Sequence, residues 1–200
     1  CKRTETPAAP ATPAAPVATA PAPAAPTSTN PPHDNLNAVA WVQTSVEYKA
    51  LSEQTYRAAA EQLDKALKEK NWDALVPEER GNAPTGLKPA VVMDVDETVL
   101  DNSPYQARLV RDGLDYDEVT WAQWVAEKKA KPLPGVVDFA KAAAAKGVTI
   151  LYISNRAEHL KDATLANLRS EGLPVADDSV FLGLGTFVEG GEQHGSEHAA

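Results

Sequence analysis

Asp94 and Asp96 stand one residue apart, directly after the apolar run Ala90-Val91-Val92-Met93, and the string continues Glu97-Thr98-Val99-Leu100-Asp101-Asn102. Two carboxylates this close repel unless a cation or hydrogen bonds offset them. A hard divalent ion such as Mg²⁺ suits carboxylate and carbonyl oxygens and is commonly held by one or two carboxylates plus a substrate phosphate. Such an ion turns a repulsive site into a phosphate acceptor. A second polar group, Ser154-Asn155-Arg156, ends another apolar run, Val148-Thr149-Ile150-Leu151-Tyr152-Ile153. A hydroxyl and an amide there can donate to phosphate oxygens, the alternative being simple helix capping. Arg156 either adds charge at that corner or pairs on the surface.

These groups need elements that bring them to one place. Ala90 to Met93 is apolar without alternation, which predicts a short strand buried on both faces, with the acidic pair at its carboxyl end. Ligands bind open parallel sheets at that edge. Val136 to Ala145 predicts a helix ended by Lys146-Gly147, a basic last turn with Gly just past it. Strand, helix and strand then form the right-handed unit of a parallel sheet, placing Ser154 beside Asp94.

Upstream, Asn37 to Lys70 predicts one long helix or two, with Tyr56, Ala59, Leu63 and Leu67 on the packed face. Pro77, Gly81, Pro84, Gly86 and Pro89 make Asn71 to Pro89 mostly loop. The stretch of about 103–131, with Tyr105, Tyr116, Trp121 and Trp124, reads as an inserted cap. Trp121 and Trp124 share one face of a helix at i and i+3, and spacing alone does not separate exposed from buried rings. Ala163 to Leu168 continues as a helix, Asp177 and Asp178 are loop residues at the wrong end of a strand for metal binding, and Phe181 to Val188 predicts a last short strand. His33, His159, His194 and His198 form no convincing site.

Composition sets the limits. The 200 residues suit one domain of ordinary size, and 43% hydrophobic content is enough for a core. The first 32 are dominated by Ala, Pro and Thr, which predicts an extended tether over 1–33 and a globular part over 34–200. A formal net charge of -9 disfavours nucleic acid polymers and anionic membrane surfaces. The single cysteine, Cys1, allows no disulfide within the chain.

Asp94-Val95-Asp96-Glu97-Thr98 resembles the first motif of the haloacid-dehalogenase (HAD) phosphatase superfamily. The longer string to Tyr105, together with Trp41-Val42-Gln43-Thr44-Ser45-Val46-Glu47-Tyr48, is similar to class C nonspecific acid phosphatases, bacterial outer-membrane lipoproteins with nucleotidase activity. The resemblance runs from about Leu36 to about Gly195. It implies an α/β fold, a HAD-like Rossmannoid parallel sheet flanked by helices, with an N-terminal helix, an inserted cap and an incomplete carboxyl-terminal part.

The resemblance also implies an activity: Mg²⁺-dependent hydrolysis of phosphomonoesters such as nucleoside 5'-monophosphates. Asp94 would attack phosphorus to give an aspartyl-phosphate, and Asp96 would protonate the leaving oxygen and then activate water. Mg²⁺ would touch the Asp94 carboxylate and the Asp96 backbone carbonyl. Thr98, Ser154 and Asn155 would serve phosphate binding, with Trp121 and Tyr105 at the substrate. A leading Cys1 followed by the tether looks like a mature bacterial lipoprotein, with the lipid on Cys1 holding the domain at the outer membrane. One departure counts against the enzyme. The family's later Lys and Asp motifs have no match, because no Lys follows Lys161 and no Asp follows Asp178. The expectation is a truncated member or a fragment, and the alternative reading is a non-catalytic surface lipoprotein that keeps part of the fold as a binding module.

Overall fold

A computed structural model describes residues 33–70, 72–81 and 86–186. Cys1, the tether, His194, His198 and the end of the expected last strand lie outside the described residues. Two helices open the domain, α1 (Leu36–Thr44) and α2 (Val46–Ala66). Ser45 separates them because its hydroxyl accepts from the Tyr48 N–H, capping α2 while ending α1. Irregular chain with one 3₁₀ turn, Pro77–Glu79, leads to β1 (Ala90–Met93), as the proline and glycine content predicts.

Three strands form the parallel sheet: β1 pairs with β4 (Thr149–Ala157), and β4 pairs with β5 (Phe181–Leu184). Between β1 and β4 lie β2 (Leu100–Asp101), α3 (Ser103–Asp112), α4 (Glu118–Glu127), β3 (Lys131–Pro132) and α5 (Val136–Ala145). α6 (Lys161–Ser170) connects β4 to β5. Register pairs Met93 with Tyr152, so Asp94, just past β1, and Ser154, on β4, stand at one edge of the sheet. The core gathers Val95, Val99, Leu100, Val136, Tyr152 and Phe181, each fully buried. Each contributes roughly 1.5–3 kcal/mol on leaving water. No helix of the described residues is long and apolar enough to cross a membrane.

Two sequence expectations change here. β1 is not covered on both faces: Val92 is 61% exposed. The cause is position, since β1 is an edge strand in the order β1-β4-β5 and among the described residues nothing pairs with its outer side. β4, in contrast, is central and longer than its apolar run, extending through Ser154, Asn155 and Arg156 to Ala157. Those polar residues belong to a strand, so helix capping does not explain them. Gly183 on β5 lies against this stretch; a Cβ there would fall 2.7 Å from the Arg156 carbonyl oxygen.

The inserted segment is pinned at its base. β2 and β3 pair antiparallel, Leu100 with Pro132 and Asp101 with Lys131, so the excursion leaves and returns at one point. Asp117 caps α4 by accepting from the Val119 and Thr120 N–H groups, and Gly113 in left-handed conformation ends α3. Arg108 on α3 makes a bidentate pair with Glu127 at the end of α4.

Candidate active site

The loop from Asp94 to Asn102 closes on itself. Leu100 and Val99 donate their N–H groups to the Val95 carbonyl, and the Glu97 N–H donates to the Leu100 carbonyl. Glu97 takes a left-handed backbone, φ 56°, uncommon for a side-chain-bearing residue and tolerated where surroundings compel it. Its carboxylate accepts from the Asn102 N–H at 3.0 Å. Loss of solvent raises the Glu97 pKa above the usual carboxylate value, with Asp96 and Asp101 adding to the effect. The Thr98 carbonyl accepts from the Tyr56 hydroxyl, tying the loop to α2.

The two aspartates have different surroundings. Asp94 is exposed at the sheet edge, and its Oδ1 accepts the Val95 N–H at 2.7 Å. Asp96 is held from three sides. Its Oδ1 accepts from Arg156 Nη2 at 2.7 Å and from Asn102 Nδ2 at 2.8 Å, and its Oδ2 accepts from Ser154 Oγ at 3.3 Å. Arg156 is itself buried, 3% exposed. A buried guanidinium needs its donors matched. Nη1 donates to Thr164 Oγ1 on α6, Nη2 also reaches Asn102 Oδ1, and the Trp121 ring lies 5.2 Å from the guanidinium carbon. Trp124 completes the frame by donating Nε1–H to Asn102 Oδ1.

The sequence-predicted residues therefore divide. Asp94, Asp96 and Ser154 meet at one edge, and Thr98 stands in the same loop. Asn155 alternates to the opposite face of β4 from Ser154 and is exposed. Tyr105 is 2% and Trp121 9% exposed, packed edge to face with ring centroids 5.2 Å apart. The exposed ring is Tyr116, tilted against Trp121 at 6.2 Å. Its pKa is pushed up to about 12, chiefly by burial and the Glu118 carboxylate, with Asp96 contributing. Arg156, left open between phosphate and surface, is neither exposed nor idle: it is the counter-ion of Asp96. Asn102 and Thr164 were not expected at the site, although Asn102 lies in the acidic string itself, and Tyr116 was expected only as one of the cap's aromatic residues.

For a divalent cation, the fit is with oxygen donors. The exposed Asp94 carboxylate qualifies, and among the described residues no hydrogen bond falls on the Asp96 carbonyl oxygen. The Asp96 side chain is occupied by Arg156. Among the described residues no group of three or more His, Cys, Asp or Glu could hold a metal, so the set fits an ion that takes its remaining ligands from water and phosphate. Asp177 and Asp178 stay out of the site, capping Ser179 and pairing with Arg169.

The family described as HAD superfamily, subfamily IIIB (Acid phosphatase) matches residues 11–186. The chain belongs to this family. The structure is similar to that of the class C acid phosphatase from Bacillus anthracis, at 42% identity and a TM-score of 0.63, over 74% of this chain and 57% of that one. A second structure of the Bacillus anthracis enzyme, with tungstate bound, matches at 41% identity and a TM-score of 0.63, over 74% of this chain and 56% of that one. The chain thus spans little more than half the length of the solved acid phosphatases it matches. HAD-superfamily phosphatases generally use a divalent metal, which suits the oxygen donors of Asp94 and Asp96.

Proposed function

We propose that this acid phosphatase family member hydrolyses phosphomonoesters, nucleoside 5'-monophosphates among them, with Mg²⁺. The observation that carries the reading is the asymmetry of the acidic pair: an exposed Asp94 beside an Asp96 whose carboxylate is held by Arg156, Asn102 and Ser154. Asp94 Oδ attacks phosphorus as the bond to the leaving oxygen breaks, and Asp96, in its protonated form, gives that oxygen its proton and takes up Arg156 as counter-ion once ionised. Water then attacks the aspartyl-phosphate, losing its proton to Asp96 and freeing Asp94. When bound at the Asp94 carboxylate and the Asp96 carbonyl, Mg²⁺ supplies positive charge for the phosphoryl oxygens. Ser154, which donates to Asp96, is the group proposed to hold the phosphoryl oxygens, and Thr98 to steady the loop; Asn155, on the opposite face of β4, is the weaker candidate. Tungstate is a tetrahedral oxyanion shaped like phosphate, and its presence on the Bacillus anthracis enzyme supports the reading.

Tyr116 offers the only one of the three cap tyrosine and tryptophan rings at the Tyr105–Trp121 cluster that is mostly exposed, at 54%. A flat leaving group would stack there, with Trp121 and Tyr105 as its backing. The anchoring proposal stands separately: a lipid on Cys1 holds the domain at a bacterial outer membrane behind the 1–33 tether, and the mass of the native amino terminus tests it.

The activity test is release of inorganic phosphate from AMP and from p-nitrophenyl phosphate with saturating Mg²⁺. Turnover that disappears with Asp94→Asn and with chelator supports the enzyme. Folded protein without turnover assigns the chain to the non-catalytic binding reading.

A further inference from the structure

Asn102 lies 1% exposed between the acidic loop and the inserted segment. Its N–H donates to Glu97, its carbonyl accepts from the Tyr105 N–H, its Nδ2 donates to Asp96 Oδ1 at 2.8 Å, and its Oδ1 accepts from Trp124 Nε1 at 2.9 Å. Which way the amide points follows from its neighbours. Trp124 Nε1 and Arg156 Nη2, the latter at 3.4 Å, can only donate, so the atom they face must be the oxygen. The NH₂ is thereby turned onto the Asp96 carboxylate. Trp124 is itself fixed: it is buried, the Arg108 guanidinium carbon lies 5.0 Å from its ring centroid, and Arg108 is held in turn by Glu127.

The bonds to Asp96 are unevenly shared. Oδ1 accepts from Asn102 Nδ2 at 2.8 Å and from Arg156 Nη2 at 2.7 Å, which occupy both lone pairs of that oxygen. Oδ2 has longer contacts, to Arg156 Nε at 3.1 Å and to the Ser154 hydroxyl at 3.3 Å, and the side chain keeps 25% of its surface open to solvent. Resting on the phosphomonoesterase reading above, we infer that Oδ2 is the atom of Asp96 that exchanges a proton with the leaving oxygen and then with water, and that Trp124 is a positioning residue for it, acting through Asn102. The proton on Oδ2 passes to the leaving oxygen as its bond to phosphorus breaks. In the second half, the attacking water returns a proton to Oδ2. Oδ1 stays held throughout. Without the indole N–H, only the longer Arg156 contact fixes the amide, which is then free to turn its oxygen onto the carboxylate, lone pair against lone pair. The inserted segment therefore takes part in the proton transfer as well as framing the site.

The test compares AMP, whose ribose oxygen needs a proton to leave, with dinitrophenyl phosphate, whose phenolate leaves without one. For both esters kcat/KM reports the transfer of the phosphoryl group to Asp94. With saturating Mg²⁺, Trp124→Phe is expected to lower the ratio of kcat/KM for AMP to that for dinitrophenyl phosphate by about tenfold or more, and Asn102→Ala and Asp96→Asn by at least as much. The ratio does not depend on how much of a variant is folded, so a merely structural role leaves it unmoved. An unchanged ratio in Trp124→Phe or Asn102→Ala, with Asp96→Asn lowering it, overturns the positioning role and leaves the phosphatase reading standing. An unchanged ratio in Asp96→Asn overturns both. Turnover of neither ester by the folded native chain overturns the phosphatase reading, and the proton transfer with it. The hold on the carboxylate is read separately by NMR: the Asn102 side-chain amide protons should exchange about tenfold faster or more in Trp124→Phe while the α4 backbone amides keep their rates. Equal exchange in the two proteins overturns the relay from Trp124 whatever the turnover.

Discussion

The two sides of β1 are built to different degrees of completion. Toward β4, the strand is paired along its length, and past its end the Asp96 carboxylate, Arg156, Asn102, Ser154 and Thr164 satisfy one another in a small buried network. Away from β4, nothing among the described residues pairs with the same strand, and an apolar groove lies beside it. The difference shows that positioning an acid and supporting a sheet are separable tasks. The first is done by the β1–β4 seam and the inserted segment; the second is done, among the described residues, on the β4 side alone.

Asp94→Asn is the largest expected break in the finished side. If Asp94 is the nucleophile, kcat falls by about three orders of magnitude or more, because groups that act as a unit fail together. Circular dichroism should stay unchanged, since Asp94 is exposed and its carboxylate accepts from the N–H of its own neighbour, Val95. Retained turnover would remove the carboxylate attack.

Matched truncations then compare the two sides directly. Ile150 on β4 is 3% exposed, so Ile150→Ala is expected to cost about 2–4 kcal/mol in denaturant unfolding. Val92→Ala, next to Ile150's partner Val91 in the seam's register, should change stability by no more than about 0.5 kcal/mol because the methyl groups it removes already face water. Equal costs would mean that the groove is filled in solution. Arg156→Met comes next. It strips the counter-ion from Asp96 while filling similar volume, and a cost of about 2–3 kcal/mol is expected, below that of a fully buried pair because Asp96 remains 25% exposed. Adding Asp96→Asn should recover part of that loss, and an additive double variant would mean the pair is not coupled.

The sequence made the seam legible and left the open side hidden, for physical reasons. Apolar runs that give way to Asp94 and to Ser154 announce two strands, and the helix between them brings those two residues to one edge, although β4 itself continues to Ala157. An apolar run does not say whether anything lies against it, so Val92 read as buried while it is exposed. Arg156 was ambiguous because a guanidinium beside a serine serves either phosphate or a carboxylate, and only its distance of 2.7 Å to Asp96 decides. The aromatic residues show the same limit: helical spacing put Trp121 and Trp124 on one face, and only packing shows that face turned inward, with Tyr116 from the preceding loop left outside.

The smallest effect belongs to the pair that ties the inserted segment together. Hydrogen bonds from Arg108, then from Lys129, hold the Glu127 carboxyl down at about 2 from an ordinary value near 4.5. A depressed folded-state pKa contributes stability that is present above the ordinary value and lost as pH falls toward the folded one. The contribution should therefore be complete at neutral pH and fade between about 4.5 and about 2. Because the pair lies at the surface and solvent screens it, the change should be local rather than global. Amide exchange in α3 and α4 is expected to quicken over that pH window in the native chain, while Glu127→Gln shows fast exchange at neutral pH and little further change on acidification. If both proteins respond to acid alike, the insertion is held by its buried aromatic face, Tyr105, Trp121 and Trp124, and not by the ion pair.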